Sequence, residues 1–260
     1  MKFAVIGGTG RIGSEVVEAL TAAGHEAAPH ARSTGVDLLT GEGLAQALAG
    51  ADGVVDATQS PTADDASAEF FRIATGNLLA AAEAAGVRHA VLLSIVGVDK
   101  VPGLSYYRSK VVQEELFTRG SVPYSIVRAT QFFEYIEEIM SWTADGGTVR
   151  LPATLLQPIA AADAARAVAD IAVGAPLHGV RDMAGPDVVP LDELGRITLA
   201  ARGDGRTVVT DACAGPFAAA SGNALIATAG SAHIAPEHYR SWLVSSDRTP
   251  PGLRPKPHSA

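Results

Sequence analysis

The stretch KFAVIGGTGRIGSEVVEAL, residues 2–20, decides the fold. Its first part, Lys2–Ile6, is a short apolar run with β-branched residues that ends in two glycines, which predicts a buried strand. From residue 11 to residue 23 apolar side chains recur at helical spacing, and Gly24 follows where a helix would end. The sequence therefore predicts a strand that passes through a glycine-rich loop into a helix.

The loop between these two elements reads Gly7-Gly8-Thr9-Gly10-Arg11-Ile12-Gly13. Glycines at such a position permit a tight turn and allow a pyrophosphate to approach the N–H groups at the helix start. The spacing of Gly7, Gly10 and Gly13 is a variant of the dinucleotide-binding fingerprint, with a purely structural turn as the alternative. A P-loop is excluded, because Ser14 stands where that motif needs a lysine.

Strand and helix candidates alternate along the first half of the chain. Further strands are expected at 26–31, 53–57, 89–98 and 124–128, and helices at 64–85 and 105–119. This alternation predicts an α/β fold with a doubly wound parallel sheet, which binds ligands at the carboxyl ends of its strands. We expect residues 1–132 to form this core, residues 133–246 to form a substrate cap packed on it as a single structural unit, and the proline-rich tail 247–260 to be disordered.

The end of the second strand indicates which dinucleotide would bind. A site selective for NAD normally has a carboxylate there, but this chain has His30, Arg32 and Ser33. These side chains suit a 2′-phosphate, although Arg32 could also be a solvated loop residue. Asp37 lies where it could meet the adenine, and a surface turn is the alternative.

Composition excludes several other classes of function. The net charge of −8 argues against nucleic-acid binding. No apolar run is long enough for a signal peptide or a membrane span, so we expect a cytoplasmic protein. The single cysteine, Cys213, and the seven histidines show no metal-ligand spacing, and we expect no metal site.

Five motifs together resemble those of a known family. They are GGTGRIG at 7–13, LSIVGVD at 93–99, YYRSK at 106–110, VRATQF at 127–132 and AGP at 184–186. The sequence resembles an atypical short-chain dehydrogenase/reductase, close to the NmrA-like NAD(P)-binding proteins. The resemblance implies a Rossmann domain that binds NADP(H) and a small C-terminal substrate-binding region. The family includes quinone and enone reductases, carbonyl reductases and redox sensors that catalyse nothing.

The resemblance also implies which residues contact the cofactor. Arg32, with Ser33, would hold the 2′-phosphate, and Asp37 would lie near the adenine. Lys110 would hold the nicotinamide ribose. The expected contacts with the pyrophosphate are Gly7, Thr9, Gly10, Arg11, Ile12 and Gly13, and those toward the nicotinamide are Ala57, Thr58 and Gln59, just past what we take to be the fourth strand.

Tyr106 and Lys110 have the Y-x-x-x-K spacing, which places a phenol and an ammonium one helical turn apart. A phenol ionises only near pH 10, so the ammonium is expected to bring the pKa of Tyr106 toward neutrality and make it a proton donor. Ser94, at the end of the preceding strand, would complete the catalytic group. A tyrosine that only covers the sheet edge at a helix start is the alternative.

The substrate side is marked by aromatic residues in a chain with only 5% aromatics. Gln131 and Phe132 lie close to a strand end and are expected to contact a flat substrate. Phe133 and Trp142 are expected to be core residues of the cap.

These observations favour an NADPH-dependent oxidoreductase that reduces a small conjugated carbonyl, quinone or aromatic ketone and acts as a monomer or homodimer. The main alternative is a non-catalytic NADP(H)-binding redox sensor. A weaker alternative is a sugar-nucleotide or isomerising enzyme that retains its cofactor.

Overall fold

The computed structural model of the protein describes residues 1–245. Within this range the strands are β1 (Lys2–Ile6), β2 (Glu26–His30), β3 (Gly53–Asp56), β4 (His89–Ile95), β5 (Tyr124–Ala129), β6 (Ala144–Asp145), β7 (Thr148–Leu151), β8 (Leu155–Leu156), β9 (Val180–Ala184), β10 (Val189–Pro190), β11 (Thr207–Thr210) and β12 (His233–Ile234). The α-helices are α1 (Arg11–Ala22), α2 (Leu44–Ala47), α3 (Ala66–Ala84), α4 (Ser105–Arg119), α5 (Ile136–Ser141), α6 (Ala161–Val173), α7 (Leu191–Arg202) and α8 (Tyr239–Ser245).

Seven strands form one parallel sheet in the order β12-β9-β5-β4-β3-β1-β2. The chain order reverses around β1, which has β2 on one side and β3 on the other. Ile6 pairs with both His30 and Asp56, so the three strands end level with one another. The loops that follow them therefore meet at one edge of the sheet, at the switch point where such folds bind ligands. The predicted Rossmann-type fold is confirmed.

Helices cover both faces of this sheet, which is why its central strands β1, β3, β4 and β5 are largely buried. On one face α1 and α6 pack against inward-facing valines, and on the other α3 and α4 pack against the alternate side chains. The valines of the first face are Val5, Val55, Val91 and Val127, and the residues of the second face include Ala4, Val54, Leu92 and Ile126.

The strand numbering assumed from the sequence was wrong by one. Gly53–Asp56 is the third strand of the chain, because residues 31–52 contain a 3₁₀ turn at Arg32–Thr34 and the short α2 but no strand. Glycines with left-handed backbone at positions 35, 41 and 43 turn this segment repeatedly, so it cannot run extended along the sheet. The segment therefore leads from β2, at the edge of the sheet, to β3 on the other side of β1 without adding a strand.

The core also extends beyond the predicted boundary at residue 132. Helix α6 packs on α1, while β9 and β12 continue the main sheet next to β5. The remaining elements, α5, α7, α8 and the small sheets β11-β7-β6 and β10-β8, share an apolar cluster with α4. The predicted disordered tail, 247–260, lies outside the described residues.

Two kinds of feature are absent from residues 1–245. None of their helices is both long and apolar enough to cross a membrane. No group of three or more histidine, cysteine or acidic side chains in this range is placed to hold a metal ion.

Candidate functional site

The glycine loop lies between β1 and α1 and is held by backbone hydrogen bonds within the loop and to the end of β2. The N–H of Gly7 donates to the carbonyl of His30 at 2.8 Å, and the N–H of Gly10 donates to the carbonyl of Gly7 at 2.9 Å. The first intrahelical donor of α1 is Ser14, whose N–H bonds the carbonyl of Gly10. The N–H groups of the first helical turn therefore have no partner inside the helix, and they suit an anion at its positive end.

The glycines of this loop differ in what makes them necessary. A Cβ on Gly13 would lie 2.1 Å from the carbonyl oxygen of Gly7, and one on Gly7 would lie 2.7 Å from that of Ala57. These two positions are glycine because the fold brings backbone against backbone. A Cβ on Gly10 would meet only the oxygen of Gly7, at 3.2 Å, and Gly10 has an ordinary extended conformation with φ −80°. The fold therefore leaves open the space in front of Gly10, which fits the approach of a pyrophosphate.

The end of β2 presents one positive side chain. Nε of Arg32 lies 3.2 Å from Oδ2 of Asp37, and the guanidinium is largely exposed. Burial lowers the pKa of His30, with a further contribution from Lys2, so this imidazole is neutral at pH 7. Arg32 consequently carries the charge at this position, and its terminal nitrogens, which have no ionic partner among residues 1–245, can pair with a phosphate. Ser33 lies exposed beside it.

Asp37 forms a turn with its own backbone. Its Oδ1 accepts hydrogen bonds from the N–H of Leu39 at 2.8 Å and of Thr40 at 3.4 Å. The Leu39 N–H is the main cause of a lowered pKa of Asp37. This geometry corresponds to the surface-turn alternative and makes Asp37 a support for Arg32.

The loop after β3 lies against the glycine loop. The N–H of Ala57 donates to the carbonyl of Ile6 at 2.9 Å. Gln59 is exposed, while Oγ1 of Thr58 is buried and has no hydrogen-bond partner within the described residues. An orphaned hydroxyl beside the glycine loop fits a polar ligand that would complete its hydrogen bonding.

Tyr106 and Lys110 share one face of α4 and one neighbour, Phe71. The Tyr106 ring lies 6.0 Å from the Phe71 ring between centroids, and Nζ of Lys110 lies 5.0 Å from the same Phe71 centroid. The Tyr106 hydroxyl also lies beside the backbone of Ser60, in the loop after β3. The Y-x-x-x-K pair thus faces the carboxyl end of β3, and its two side chains share one helix face, which is what the spacing predicts.

The pKa predicted for Tyr106 was wrong in direction. Burial raises the pKa of the Tyr106 phenol, and the nearby Ser60 backbone only partly opposes this. The same burial lowers the pKa of Lys110 to about 8, although the carboxylates of Asp56 and Glu114 favour its charged form. Both groups are removed from water, and in each the charged form is disfavoured.

Tyr107 lies on a different face of α4, in the apolar cluster under the cap. Its hydroxyl accepts a hydrogen bond from Nε2 of Gln131 at 3.2 Å. Oε1 of Gln131 is buried and has no partner within residues 1–245. Gln131 therefore retains an unused acceptor, but Tyr107 does not join the Tyr106–Lys110 pair.

Ser94 does not have the contacts predicted for it. Its hydroxyl donates to Oε1 of Glu114 at 2.5 Å, and the same carboxylate is held by Arg128. Arg128 also pairs with Asp99 at 3.1 Å. Because the hydroxyl is buried and used in this network, the structure corrects Ser94 from a catalytic role to a support between β4 and α4.

Aromatic residues of the cap approach the glycine loop. The Arg11 guanidinium donates to the carbonyl of Glu134 at 3.0 Å and lies 5.1 Å above the Tyr135 ring centroid. Phe132 is half-buried, with its ring 5.9 Å from that of Tyr135. Arg11 and Phe132, predicted separately for cofactor and substrate, thus flank one corner of the site.

Of the two aromatics expected in the cap core, only one lies there. Phe133 is buried, as expected, whereas Trp142 is 52% exposed. The indole stacks on Phe217, with ring centroids 6.4 Å apart, on the outside of the cap. Trp142 therefore neither fills the core nor reaches the carboxyl ends of the central strands.

Two polar residues of the site were missed from the sequence. Asp56, the last residue of β3, is 1% exposed, and Gln113 on α4 is fully buried. Nε2 of Gln113 donates to Oδ2 of Asp56 at 2.9 Å, while Oε1 of Gln113 accepts from Nζ of Lys110 at 2.5 Å. A carboxylate that ends an otherwise apolar strand was the signal for Asp56. Gln113 gave none, since a glutamine on a helix usually faces solvent.

Comparison with known proteins decides the family. A family model described as NAD(P)H-binding matches residues 7–172, which include the glycine loop and the whole of α4. The chain belongs to the NAD(P)H-binding family. This membership agrees with the resemblance that the sequence motifs carry.

A curated relative in this family is a (4-alkanoyl-5-oxo-2,5-dihydrofuran-3-yl)methyl phosphate reductase of Streptomyces griseus subsp. griseus. The two sequences are 33% identical over 151 residues, which cover 53% of this chain and 49% of the relative. The chain thus spans about half the length of the curated relative that it matches.

Solved structures of the same fold have several activities. An NADPH-dependent quinone oxidoreductase of Escherichia coli, complexed with NADPH, aligns with a TM-score of 0.74 at 18% identity and covers 94% of this chain and 99% of its own. A UDP-N-acetylglucosamine 4-epimerase of Bacillus cereus aligns with a TM-score of 0.72 at 17% identity and covers 99% of both chains. A triphenylmethane reductase of Citrobacter complexed with NADP(H) aligns at 0.62 and 19% identity, covering 81% of this chain and 79% of its own. At these identities the likeness shows the fold.

Proposed function

We propose that the protein is an NADPH-dependent oxidoreductase that reduces a small conjugated carbonyl, quinone or aromatic ketone. The observation that carries the proposal is the convergence of three features at one edge of the sheet. The N-terminus of α1 faces an open space at Gly10, Arg32 supplies a positive charge at the end of β2, and the Tyr106–Lys110 pair faces the end of β3.

The proposed cofactor position uses each of these features. The pyrophosphate would lie against the N–H groups of Arg11 and Ile12, and the 2′-phosphate against the terminal nitrogens of Arg32. The orphaned hydroxyl of Thr58 would donate to the cofactor toward its nicotinamide end. Lys110 would hold the nicotinamide ribose by exchanging one of its present contacts.

The chain's own groups would supply and place a proton. When bound, the nicotinamide supplies a hydride. Tyr106 is protonated at neutral pH, as a phenol ordinarily is, so it can donate a proton to an oxygen of the acceptor. Lys110 stays mostly protonated below pH 8, and its ammonium, one turn along α4 from Tyr106, would stabilise the negative charge that forms on the phenol.

The proposed substrate class comes from the walls of the site and from the relatives. Phe132 and Tyr135 offer flat apolar surface beside Arg11, and Gln131 offers an unused amide acceptor. The curated relative is named for the reduction of an acylated dihydrofuranone, and one structural neighbour for that of quinones. All of these are small, flat and oxygenated.

A non-catalytic NADP(H) sensor is the second candidate. Two observations favour it. The Ser94 hydroxyl is already used in a hydrogen bond to Glu114, and the raised pKa of Tyr106 makes its phenol a weaker proton donor. In such a protein Lys110 would bind the cofactor and Tyr106 would only cover the sheet edge.

A screen of NADPH oxidation separates the two candidates. Purified protein and NADPH are mixed with quinones, enones, aromatic ketones and acylated furanone phosphates, and the loss of NADPH absorbance is followed. We expect saturable turnover with at least one of these classes. Tight NADPH binding, measured by calorimetry, without turnover of any compound would favour the sensor. Absence of NADPH binding would contradict both.

A further inference from the structure

Among residues 1–245, Lys110 is a buried ammonium without a direct ionic partner. Its side chain is 3% exposed, and Nζ bonds two uncharged oxygens, the Leu93 carbonyl at 2.8 Å and Oε1 of Gln113 at 2.5 Å. A buried charge is normally paired directly, because burying it alone is costly. Here a neutral amide stands between the ammonium and the carboxylate of Asp56.

The orientation of this amide is fixed at both ends. Nε2 of Gln113 donates to Oδ2 of Asp56 at 2.9 Å, and a carboxylate can only accept, so Oε1 must point toward Lys110. The other oxygen of Asp56, Oδ1, accepts the N–H of Thr58 at 2.9 Å. One chain of hydrogen bonds thus runs from the loop after β3, through Asp56 and Gln113, to Lys110.

This chain starts where the proposed cofactor would lie. The N–H of Thr58 is fixed by Asp56, while its hydroxyl is the orphaned group beside the glycine loop. The backbone of Ser60, two residues further on, lies beside the Tyr106 hydroxyl. The loop 57–60 therefore positions both members of the Tyr106–Lys110 pair, one through its backbone and the other through Asp56 and Gln113.

We propose that Gln113, oriented by Asp56, is a positioning residue that holds the ammonium of Lys110 in register with Tyr106 and the cofactor ribose. This inference rests on the proposed function for the role of Lys110. The geometry gives Gln113 a second effect: it keeps Asp56 one amide away from Lys110, so the ammonium is held without a salt bridge that would have to break before it bonds a ribose.

The test uses nuclear magnetic resonance of the lysine side chains. The sequence contains four lysines, at positions 2, 100, 110 and 256, so ¹³C-labelled lysine gives few signals, and a Lys110→Met variant assigns the one that matters. In wild type the Lys110 signal should titrate at about 8, well below the ordinary lysine value of about 10.4. This readout needs neither cofactor nor substrate.

Two variants break the chain at different points. Gln113→Met removes the oxygen that accepts from Lys110, and the loss of a hydrogen bond to a charged group should lower its titration midpoint by about one to two pH units. Asp56→Asn keeps the size of the side chain but places an amide N–H opposite the N–H of Gln113. The Gln113 amide must then turn its oxygen away from Lys110, so the titration midpoint of Lys110 should also fall. Glu115→Gln, on the exposed face of the same helix, is the matched control and should leave it unchanged.

Activity supplies an independent readout. With a midpoint one to two units lower, the protonated fraction of Lys110 at pH 7 falls from about nine-tenths to between one-half and one-tenth. Turnover at pH 7 should fall about twofold to tenfold in Gln113→Met, and the alkaline limb of its pH–rate profile should move to lower pH.

The outcomes are distinguishable. Unchanged lysine titration in both folded variants would overturn the positioning role, whatever the activity. Should Gln113→Met not fold, Asp56→Asn decides the question alone. A third outcome is that the variants shift the Lys110 midpoint while the wild-type protein binds NADPH and reduces none of the compounds. That result would support the positioning role of Gln113 and reject the enzymatic function.

Discussion

Replacing Gly10 with valine tests whether the glycine loop binds a ligand or only turns the chain. A Cβ at position 10 meets a single atom, the oxygen of Gly7, at 3.2 Å, and Gly10 has a backbone conformation open to any residue. Valine is a poor residue at a helix N-cap, and we expect the change to cost about 1 kcal/mol of folding free energy. Gly13→Ala is the contrasting variant, because its methyl group would lie 2.1 Å from the Gly7 oxygen. Overpacking of this kind should cost about 1–3 kcal/mol or more.

Gly10→Val should have a much larger effect on NADPH binding than on stability. In wild type, NADPH at about a hundred times its dissociation constant should add about 2.7 kcal/mol of stability, which raises the melting temperature by about 5 °C or more. The valine side chain would occupy the approach of the pyrophosphate. With affinity reduced about a hundredfold or more, the same NADPH concentration adds only about 0.4 kcal/mol, so the melting temperature barely moves.

Thermal unfolding with and without NADPH measures both effects together. The expected pattern is a Gly10→Val protein that melts near wild type without ligand and does not respond to NADPH. A folded Gly10→Val protein that is stabilised by NADPH as much as wild type would refute the assignment of the loop.

Two further predictions concern the charged groups of the site. Arg32→Ala should remove most of the preference for NADPH over NADH, because it removes a charge-assisted bond to the 2′-phosphate. The ratio of the two affinities, measured by calorimetry, should fall about tenfold to a hundredfold, and an undiminished ratio would exclude Arg32 from that contact. Lys110 has a folded-state pKa of about 8, below its ordinary value, so the unfolded chain binds more protons between these values and stability rises with pH there. Between pH 7 and 9.5 the free energy of unfolding, measured by urea denaturation, should rise by about 2 kcal/mol in wild type but not in Lys110→Met. An equal dependence of this free energy on pH in the two proteins would contradict the buried ammonium.

The fold was predictable because its signals are local and repeated. The strand, glycine loop and helix at the N-terminus were visible in residues 2–20, and the alternation that follows predicts parallel strands. What local patterns could not show is which later segments return to the sheet. Helix α6 packs on α1, and β9 joins β5, through pairings between residues far apart in sequence. The boundary at residue 132 was placed where the alternation of strand and helix patterns gives way to helices separated by loops. That change does not reveal which later segments pair with the sheet.

The site was predictable only in part, because side-chain partners depend on the tertiary structure. The spacing of Tyr106 and Lys110 predicted their common face, since helical geometry alone fixes it. The direction of the Tyr106 pKa could not be predicted, because it depends on burial by Phe71 and the loop after β3. Ser94 was placed at the right strand end, but Glu114, twenty residues away, takes its hydroxyl.

The most direct test of the proposed chemistry is a single-turnover measurement on Tyr106. Protein loaded with NADPH is mixed rapidly with the carbonyl acceptor that wild type reduces fastest, and the loss of NADPH absorbance is followed at pH 7. Tyr106→Phe should slow this step by about 10²–10⁴ without weakening NADPH binding, because it removes the proton donor and leaves the cofactor contacts intact. Tyr107→Phe, which removes the hydroxyl that bonds Gln131 just after β5, should change the rate little. Wild-type rates in Tyr106→Phe, or the reverse pattern between the two variants, would contradict the account.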